Sequence, residues 1–360
     1  MMAQKISIDT RTIQPGDIFI PVGNGIDFCD DAIRKGATVL DVDLTEYAIE
    51  HRRKFTGTVI GITGSFGKTT LKDTLSAVLS PFKVSSTEKN FNNELGVPLT
   101  IANANLDANY WVIEMGIRKP GDMSHLANIV QADIAVLSGF GYSHMEFYSH
   151  EIDLLKEKLS IITPNTKSIF IPSNIHCKSD IYSICGKTPV IECSVPTLIE
   201  TNRSICRSIA EHFNLAPSIV DHQLLHIQQS PHRLNQSILS NGTVLIDDTY
   251  NSNPISIKFA IETIQTFFSN QRILAVLGDM AELGSESDFI HKQTLDWVRS
   301  KLNSDAIITY GSKFTTSQLN TTSHDALIST IEPLIDTFDV ILIKGSRVNQ
   351  LDQILDRLIK

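Results

Sequence analysis

At 360 residues the chain is too long for one ordinary core, so two or three domains are expected. Its 42% hydrophobic and 20% charged residues are those of a globular chain, and a net charge of -9 excludes a general nucleic-acid or membrane-surface binder, so any polyanion must be held by a local site. No run approaches the ~18 apolar residues of a membrane span, and the stretch from Met1 to Ser7 lacks the apolar centre of a signal peptide; the cytoplasm is the expected compartment. Cysteines 29, 177, 185, 193 and 206 lack metal-type CxxC spacing and read as free thiols.

Residues 1–55 read as a small α/β piece. Ile6 to Arg11 alternates like a strand, Asp17 to Val22 is a second, and Asp30 to Lys35 reads as a helix stopped by Gly36 before Thr38-Val39-Leu40. So short a segment buries too little surface to stand alone and is expected to lean on the next domain of the chain.

Residues 56–243 alternate strand and helix, which implies a mainly parallel sheet covered on both faces. Strands are expected at Gly57 to Ile62, Tyr110 to Glu114, Ile134 to Leu137, Ser168 to Ile171 and Val190 to Cys193, and helices over 68–80, 121–129, 151–162 and 202–213. The first strand runs into Gly64-Ser65-Phe66-Gly67-Lys68-Thr69-Thr70, a glycine-punctuated turn followed by helical apolar spacing. Such a turn points backbone N–H groups and a helix N-terminus at a polyphosphate, while Lys68 adds a charge and Thr69 offers a hydroxyl to Mg²⁺. The spacing departs from GxxxxGK[ST], since Ile62 stands where the first glycine belongs. Glu114 closes the apolar run Trp111-Val112-Ile113 at a strand end, where a carboxylate beside a triphosphate can hold Mg²⁺ directly or through water. The amide-rich Asn90-Phe-Asn-Asn-Glu-Leu-Gly-Val-Pro98 reads as a ligand-binding loop rather than a bland turn.

From 244 a second α/β pattern starts. Val244 to Asp248 is a strand ending in paired carboxylates, followed by Thr249 to Pro254 and a helix from Ile255 to Phe268. Strands Arg272 to Leu277, Ala306 to Tyr310 and Val340 to Ile343 end in Gly278-Asp279-Met280, Gly311-Ser312 and Lys344-Gly345-Ser346-Arg347. Four strands that run out into polar or glycine-rich turns place a site on the carboxyl edge of a doubly wound sheet.

This set of motifs, with Asp247-Asp-Thr-Tyr-Asn-Ser-Asn-Pro254, Gly278-Asp-Met-Ala-Glu-Leu-Gly284 and His291, resembles the Mur ligase family, most closely its MurF-type branch, over nearly the whole chain. The resemblance implies a three-domain α/β architecture: a reduced N-terminal acceptor-binding domain (1–55), a central ATP-binding P-loop domain with a mainly parallel sheet (56–243), and a Rossmann-like C-terminal ligase domain (244–360). It implies an ATP- and Mg²⁺-dependent amide ligase. A carboxylate acceptor, as in a peptidoglycan precursor, attacks the γ-phosphate, and an amino acid or dipeptide such as D-Ala-D-Ala then displaces phosphate from the acyl-phosphate.

Carried over by residue, Gly64, Ser65, Gly67, Lys68, Thr69 and Thr70 hold the phosphates, with Asn90 and Asn93 nearby, and Thr69 with Glu114 serves the first Mg²⁺. His144 matches the histidine of a second metal, and Lys158 the lysine that is carbamylated to support it. Asn251 and Asn253 approach the adenine, Asp279 the ribose, and Arg233 the phosphates across a domain cleft, which implies closure on binding. Ser346 and Arg347 match positions near the amine, and Asp9-Thr10-Arg11 the pocket for the uridine diphosphate end of the acceptor. The expected partners are these small molecules alone, with the chain a monomer that binds no nucleic acid and spans no membrane.

The chain also departs from the family. Asn24 to Cys29 replaces a longer histidine-containing loop, Asp41 to Thr56 is abbreviated, an asparagine usual before the metal histidine is replaced within Leu137 to Gly141, and Ser160 stands where an acidic residue is common. These departures leave two alternatives: a ligase of a smaller carboxylate in specialised metabolism, and a nucleotide-binding homologue without catalysis.

Overall fold

The computed structural model describes residues 4–141, 146–197, 200–226, 231–302, 306–314, 316–317 and 319–359. They fall into two compact units. One comprises Met1–Phe140, Ile152–Pro196 and Thr201–Ile227, and the other Gly141–Glu151, Thr197–Glu200 and Gln228–Lys360.

The first unit opens with a three-stranded parallel sheet, β1 (Ile6–Ser7), β2 (Ile18–Phe19) and β3 (Thr38–Val39), in that order, with helices α1 (Cys29–Arg34) and α2 (Leu44–Lys54). Helix α2 lies in the stretch read from sequence as merely abbreviated. Asp43 caps it by accepting from Glu46 N–H, and His51 to Lys54 place basic groups on its carbonyl end. Two-residue strands support only a small core, Ile13, Phe19, Ala32 and Ala37, and the segment borrows the rest. Ile6, Ile20 and Leu44 pack with Leu99 and Ala102, the Asn103 amide pairs with both backbone groups of Ile6 at 2.8 and 2.9 Å, and Arg52 donates to the Val130 and Gln131 carbonyls.

The same unit contains a six-stranded parallel sheet built from β4 (Thr58–Thr63), β5 (Val84–Ser86), β6 (Tyr110–Glu114), β7 (Ile134–Leu137), β8 (Ser168–Pro172) and β9 (Val190–Cys193), in the order β5-β6-β4-β7-β8-β9. Around it run α3 (Lys68–Val78), α4 (Gly96–Ala102), α5 (Asp122–Val130), α6 (Glu151–Leu159), α7 (Lys178–Cys185), α8 (Thr201–His212) and α9 (Pro217–Leu225). Burial on both faces is why β4, β6 and β7 read as unbroken apolar runs rather than alternating ones. Leu71, Leu75 and Val78 of α3 seat that helix on Ile60 and Ile62 of β4, which fixes the turn between them.

The second unit is a six-stranded sheet in the order β10-β11-β15-β12-β13-β14, formed by β10 (Asn235–Ile238), β11 (Val244–Asp248), β12 (Ile273–Gly278), β13 (Ile307–Tyr310), β14 (Asn320–Thr321) and β15 (Val340–Lys344). Helices α10 (Pro254–Phe267), α11 (Ser287–Lys301), α12 (His324–Ile331) and α13 (Asp352–Leu358) accompany it. Its strands are parallel except β10, which pairs antiparallel with β11. Residues 235–238, assigned from the apolar pattern to the central domain, therefore belong to this sheet: an edge strand of Asn-Gln-Ser-Ile buries too little to carry an apolar signal. No helix among the described residues is long and apolar enough to cross a membrane.

Candidate active site

In the first unit the site grows from the end of β4. Its side chains are sealed in the core, and the chain leaves it through Gly64 (φ 150°) and Gly67 (φ 78°), the latter capping α3 in the left-handed region. A side chain at Gly64 would strike the Ser138 hydroxyl and lie 2.8 Å from the Gly139 carbonyl, so only glycine lets the loop pass. The loop is braced from behind. Ser65 N–H donates to Gly139 O (2.8 Å), and the Ser138 hydroxyl donates to Phe66 O (2.6 Å).

Two lysines converge on one carbonyl. Nζ of Lys68 lies 2.8 Å and Nζ of Lys158 3.2 Å from Gly64 O, and Lys158, on α6, is 1% exposed. Both cations thus stand over the glycine turn at the amino end of α3, where the helix dipole also favours an anion.

Beside them is a carboxylate. Thr69, in the first turn of α3, donates its hydroxyl to Glu114 Oε1 (3.1 Å), and Asn92 Nδ2 donates to the same oxygen (2.7 Å). Glu114 N–H is received by the Thr87 hydroxyl (2.9 Å), whose backbone carbonyl accepts from Nζ of buried Lys72 (2.8 Å). The other carboxylate oxygen, Oε2, is buried and finds no hydrogen-bond partner among the described residues. A buried carboxylate oxygen left unpaired is costly, and a hard cation sharing the Thr69 hydroxyl would satisfy it. The glycine cradle, two cations and orphaned oxygen therefore fit a magnesium-bound polyphosphate.

Of the amides in the 90–98 loop, Asn92 is the one turned toward Glu114. Its carbonyl also accepts from Gly116 N–H (2.7 Å). Asn93, the neighbour singled out from sequence, instead accepts from Gly96 N–H (2.9 Å) at the start of α4, and Asn90 is exposed. Thr70 is also exposed, and His144 lies outside the described residues. Asp9 and Arg11 close on each other through a bidentate pair (Nη2 to Oδ2, 2.7 Å), and that guanidinium holds the Asp9 carboxyl down to about 2.

In the second unit the polar turns gather at the carboxyl edge of the sheet. Lys344, at the end of β15 and 1% exposed, donates to Asp248 Oδ2 (2.6 Å) in register across β11, and to the Asn251 carbonyl (2.9 Å). It pins the loop that carries Asn251. Asn253 is the N-cap of α10: its Oδ1 accepts from Ser256 N–H (2.8 Å) and its own N–H donates to the Ser256 hydroxyl (2.9 Å). Arg233 stacks its guanidinium 4.1 Å from the centre of the Tyr250 ring, and His232 Nδ1 meets Asp247 Oδ2 at 2.7 Å.

Asp279 follows β12. Its carboxylate accepts from the N–H groups of Ser312 (2.8 Å) and Lys313 (3.0 Å), an approach possible only because Gly311 (φ 116°) has no side chain to strike it. Ser346 turns inward, its hydroxyl donating to Asp279 O (2.7 Å), so the Lys344–Arg347 turn presents Arg347 to solvent, held 3.3 Å from Asp352. Lys72 and Thr87 are polar residues of these clusters that sequence reasoning did not single out, and neither the turn of Asn92 toward Glu114 nor the pairing of Asp248 with Lys344 is visible there. Only the register of β11 against β15 and the fold of the 90–96 loop bring them into place.

Comparison with known proteins places this geometry. Residues 62–190 match the family model of the Mur ligase middle domain, and residues 232–347 that of the Mur ligase, glutamate ligase domain. The UDP-N-acetylmuramoyl-tripeptide–D-alanyl-D-alanine ligase of Buchnera aphidicola is 28% identical over 438 residues, spanning 100% of this chain and 94% of the relative, and that of Escherichia coli is 26% identical over 98% and 93%. Two solved structures share the fold: MurF from Acinetobacter baumannii (TM-score 0.87, 21% identity, 99% of this chain and 93% of that one) and MurF from Thermotoga maritima in complex with ADP (TM-score 0.83, 22% identity, 99% and 97%).

Proposed function

Because this chain belongs to the Mur ligase family, we propose that it is an ATP-dependent amide ligase that adds a dipeptide of the D-alanyl-D-alanine kind to the carboxylate of a UDP-linked muramoyl peptide. The observation that carries the reading is the carboxylate of Glu114, hydrogen-bonded on one oxygen by Thr69 and Asn92 and left with a buried second oxygen that no described residue pairs, beside a glycine phosphate loop. A site built for the phosphates alone would not need that oxygen.

The acceptor carboxylate attacks the γ-phosphorus of ATP, ADP departs, and the amine then forms the amide by expelling phosphate from the acyl-phosphate. Charge spreads over the phosphoryl oxygens in the first step, and fixed positive groups there are worth most because they need no reorganisation. Lys68 and the 64–69 backbone supply them. Mg²⁺ held by Thr69 and Glu114 would supply neutralisation of the phosphate oxygens. Lys158, buried over Gly64, adds a cation there when unmodified; addition of CO₂ to its amine would instead make it a carbamate anion able to support a second ion, the role for which His144 is the other candidate. Asp279 is assigned the ribose, Asn251 and Asn253 the adenine, Arg233 the phosphates, and Arg347 the amine substrate. ATP as the energy source supports a cytoplasmic enzyme.

A smaller acceptor is the second reading. It is favoured by the two-residue strands of the N-terminal sheet, by the Asp9–Arg11 pair already closed on itself, and by the 438-residue span of the Buchnera alignment, which leaves that relative with segments this chain of 360 lacks.

Phosphate release decides between the two. The expected result is release that requires ATP, Mg²⁺, a UDP-linked muramoyl tripeptide and D-Ala-D-Ala together, and that is lost in Lys68→Ala with the fold retained. Release with free carboxylates alone would favour the smaller acceptor; unchanged turnover by Lys68→Ala would overturn the ligase reading.

A further inference from the structure

His291 is wholly buried on α11, and its two shortest hydrogen bonds fix its state, the Ser287 hydroxyl lying farther from Nδ1 at 3.3 Å. Nδ1 lies 2.7 Å from the carbonyl of Ser287, which can only accept, so Nδ1 carries the hydrogen. Nε2 receives the N–H of Met280 at 2.9 Å, so it carries none. The ring is therefore neutral and held in one tautomer, with the edge of Phe314 against it (centroids 4.7 Å apart, planes at 79°). Burial also pushes its pKa below the ordinary histidine value.

Met280 is the residue after Asp279, and the pair is held from three sides. His291 takes the Met280 N–H, the Ser346 hydroxyl donates to the Asp279 carbonyl, and the amides of Ser312 and Lys313 donate to its carboxylate. Those amides leave lone pairs of the carboxylate available to a hydroxyl-bearing ligand.

We propose that His291 is a positioning residue for the nucleotide: by accepting the Met280 N–H it holds the turn that aims the Asp279 carboxylate. The inference rests on the ligase reading above, in which Asp279 holds the ribose. A backbone N–H in this position needs an acceptor, and no apolar side chain of the same size supplies one. A protonated imidazole cannot accept either, so the clamp opens as His291 takes up a proton. The charged groups facing the ring are Asp279 at the end of β12, Lys313 after β13 and Asp288 on its own helix. Asp279 and Asp288 favour protonation and Lys313 opposes it.

The test compares His291→Phe, which removes the acceptor, with His291→Gln, whose amide oxygen can replace Nε2. ATP affinity is measured by calorimetry across pH, and exchange of the Met280 amide by NMR. The expected result is ATP binding weaker by about tenfold or more in H291F and within about threefold of wild type in H291Q. The Met280 amide stays protected in wild type and H291Q and exchanges faster in H291F. Wild-type affinity falls as the pH drops below the ordinary histidine range, and that of H291Q does not. Equal ATP binding by wild type and H291F, or a pH profile unchanged in H291Q, overturns the inference alone. A wild-type chain that binds no adenine nucleotide overturns the ligase reading, and this one with it.

Discussion

The Thr69 hydroxyl reaches Oε1 of Glu114 at 3.1 Å, joining the first turn of α3 to the end of β6, while Oε2 of the same carboxylate is buried with nothing among the described residues to pair it. Glu114→Gln preserves the shape and the acceptor for Thr69 and Asn92 but removes the charge. Ligand binding to the folded state alone raises stability by mass action, so Mg²⁺ with ADP should raise the melting temperature of wild type and leave that of the variant nearly unmoved. Turnover should fall by about a hundredfold or more, the scale of losing one preorganised electrostatic group. Equal magnesium-dependent stabilisation of the two proteins would mean that no cation uses this carboxylate.

Thr87→Val tests the support behind that carboxylate. The swap nearly conserves volume but deprives the buried Glu114 N–H of its acceptor, a loss of about 1–3 kcal/mol. Thermal unfolding should show the loss, and a magnesium titration should show weaker binding with ATP present. A variant as stable as wild type would mean that the strand end finds another acceptor.

Lys344 and Asp248 form a pair in which the lysine is buried and the carboxylate is 13% exposed. Lys344→Met leaves a mostly buried carboxylate without its cation and should destabilise by up to about 3 kcal/mol, whereas adding Asp248→Leu should recover part of that loss. Denaturant unfolding of both single variants and the double variant closes the cycle. Strict additivity would show that the pair does not act as a unit.

His291 also sets a direction for stability against pH. Burial holds its folded-state pKa below the reference value of 6.5. Between the folded and unfolded values the unfolded chain binds more protons, so the neutral ring's contribution is complete above about 6.5 and is lost as pH falls toward the lower folded value. In urea midpoints measured from about pH 7.5 down to about 5, wild type should lose stability relative to His291→Gln. Parallel curves would rule out a titrating clamp.

Much of the site is legible in the sequence. Residues 58–79 announce strand, glycine turn and helix because apolar periodicity and the Gly-Lys-Thr spacing are local properties. Glu114 is legible as well, as a charge that closes an apolar run. Asn92 and Asn93 are not separable: both are amides in one loop, and the difference lies in which backbone turn each occupies. One reaches Glu114 while the other caps α4. Helix α4 is itself hidden, since Gly96-Val97-Pro98 reads as the end of a ligand-binding loop although proline is tolerated in a first helical turn.

The chain's own order of residues determined the strand–helix alternation, the phosphate loop and the polar turns that end the second sheet, because each depends on neighbours a few positions apart. Tertiary structure decided which of those turns meet. Asp248 finds Lys344 only through the pairing of β11 with β15, Lys158 reaches Gly64 only when α6 packs near the β4 turn, and His291 finds Met280 only when α11 closes on the end of β12. Such contacts depend on register and burial, and a buried polar group acquires its role from whatever the fold brings within hydrogen-bonding distance.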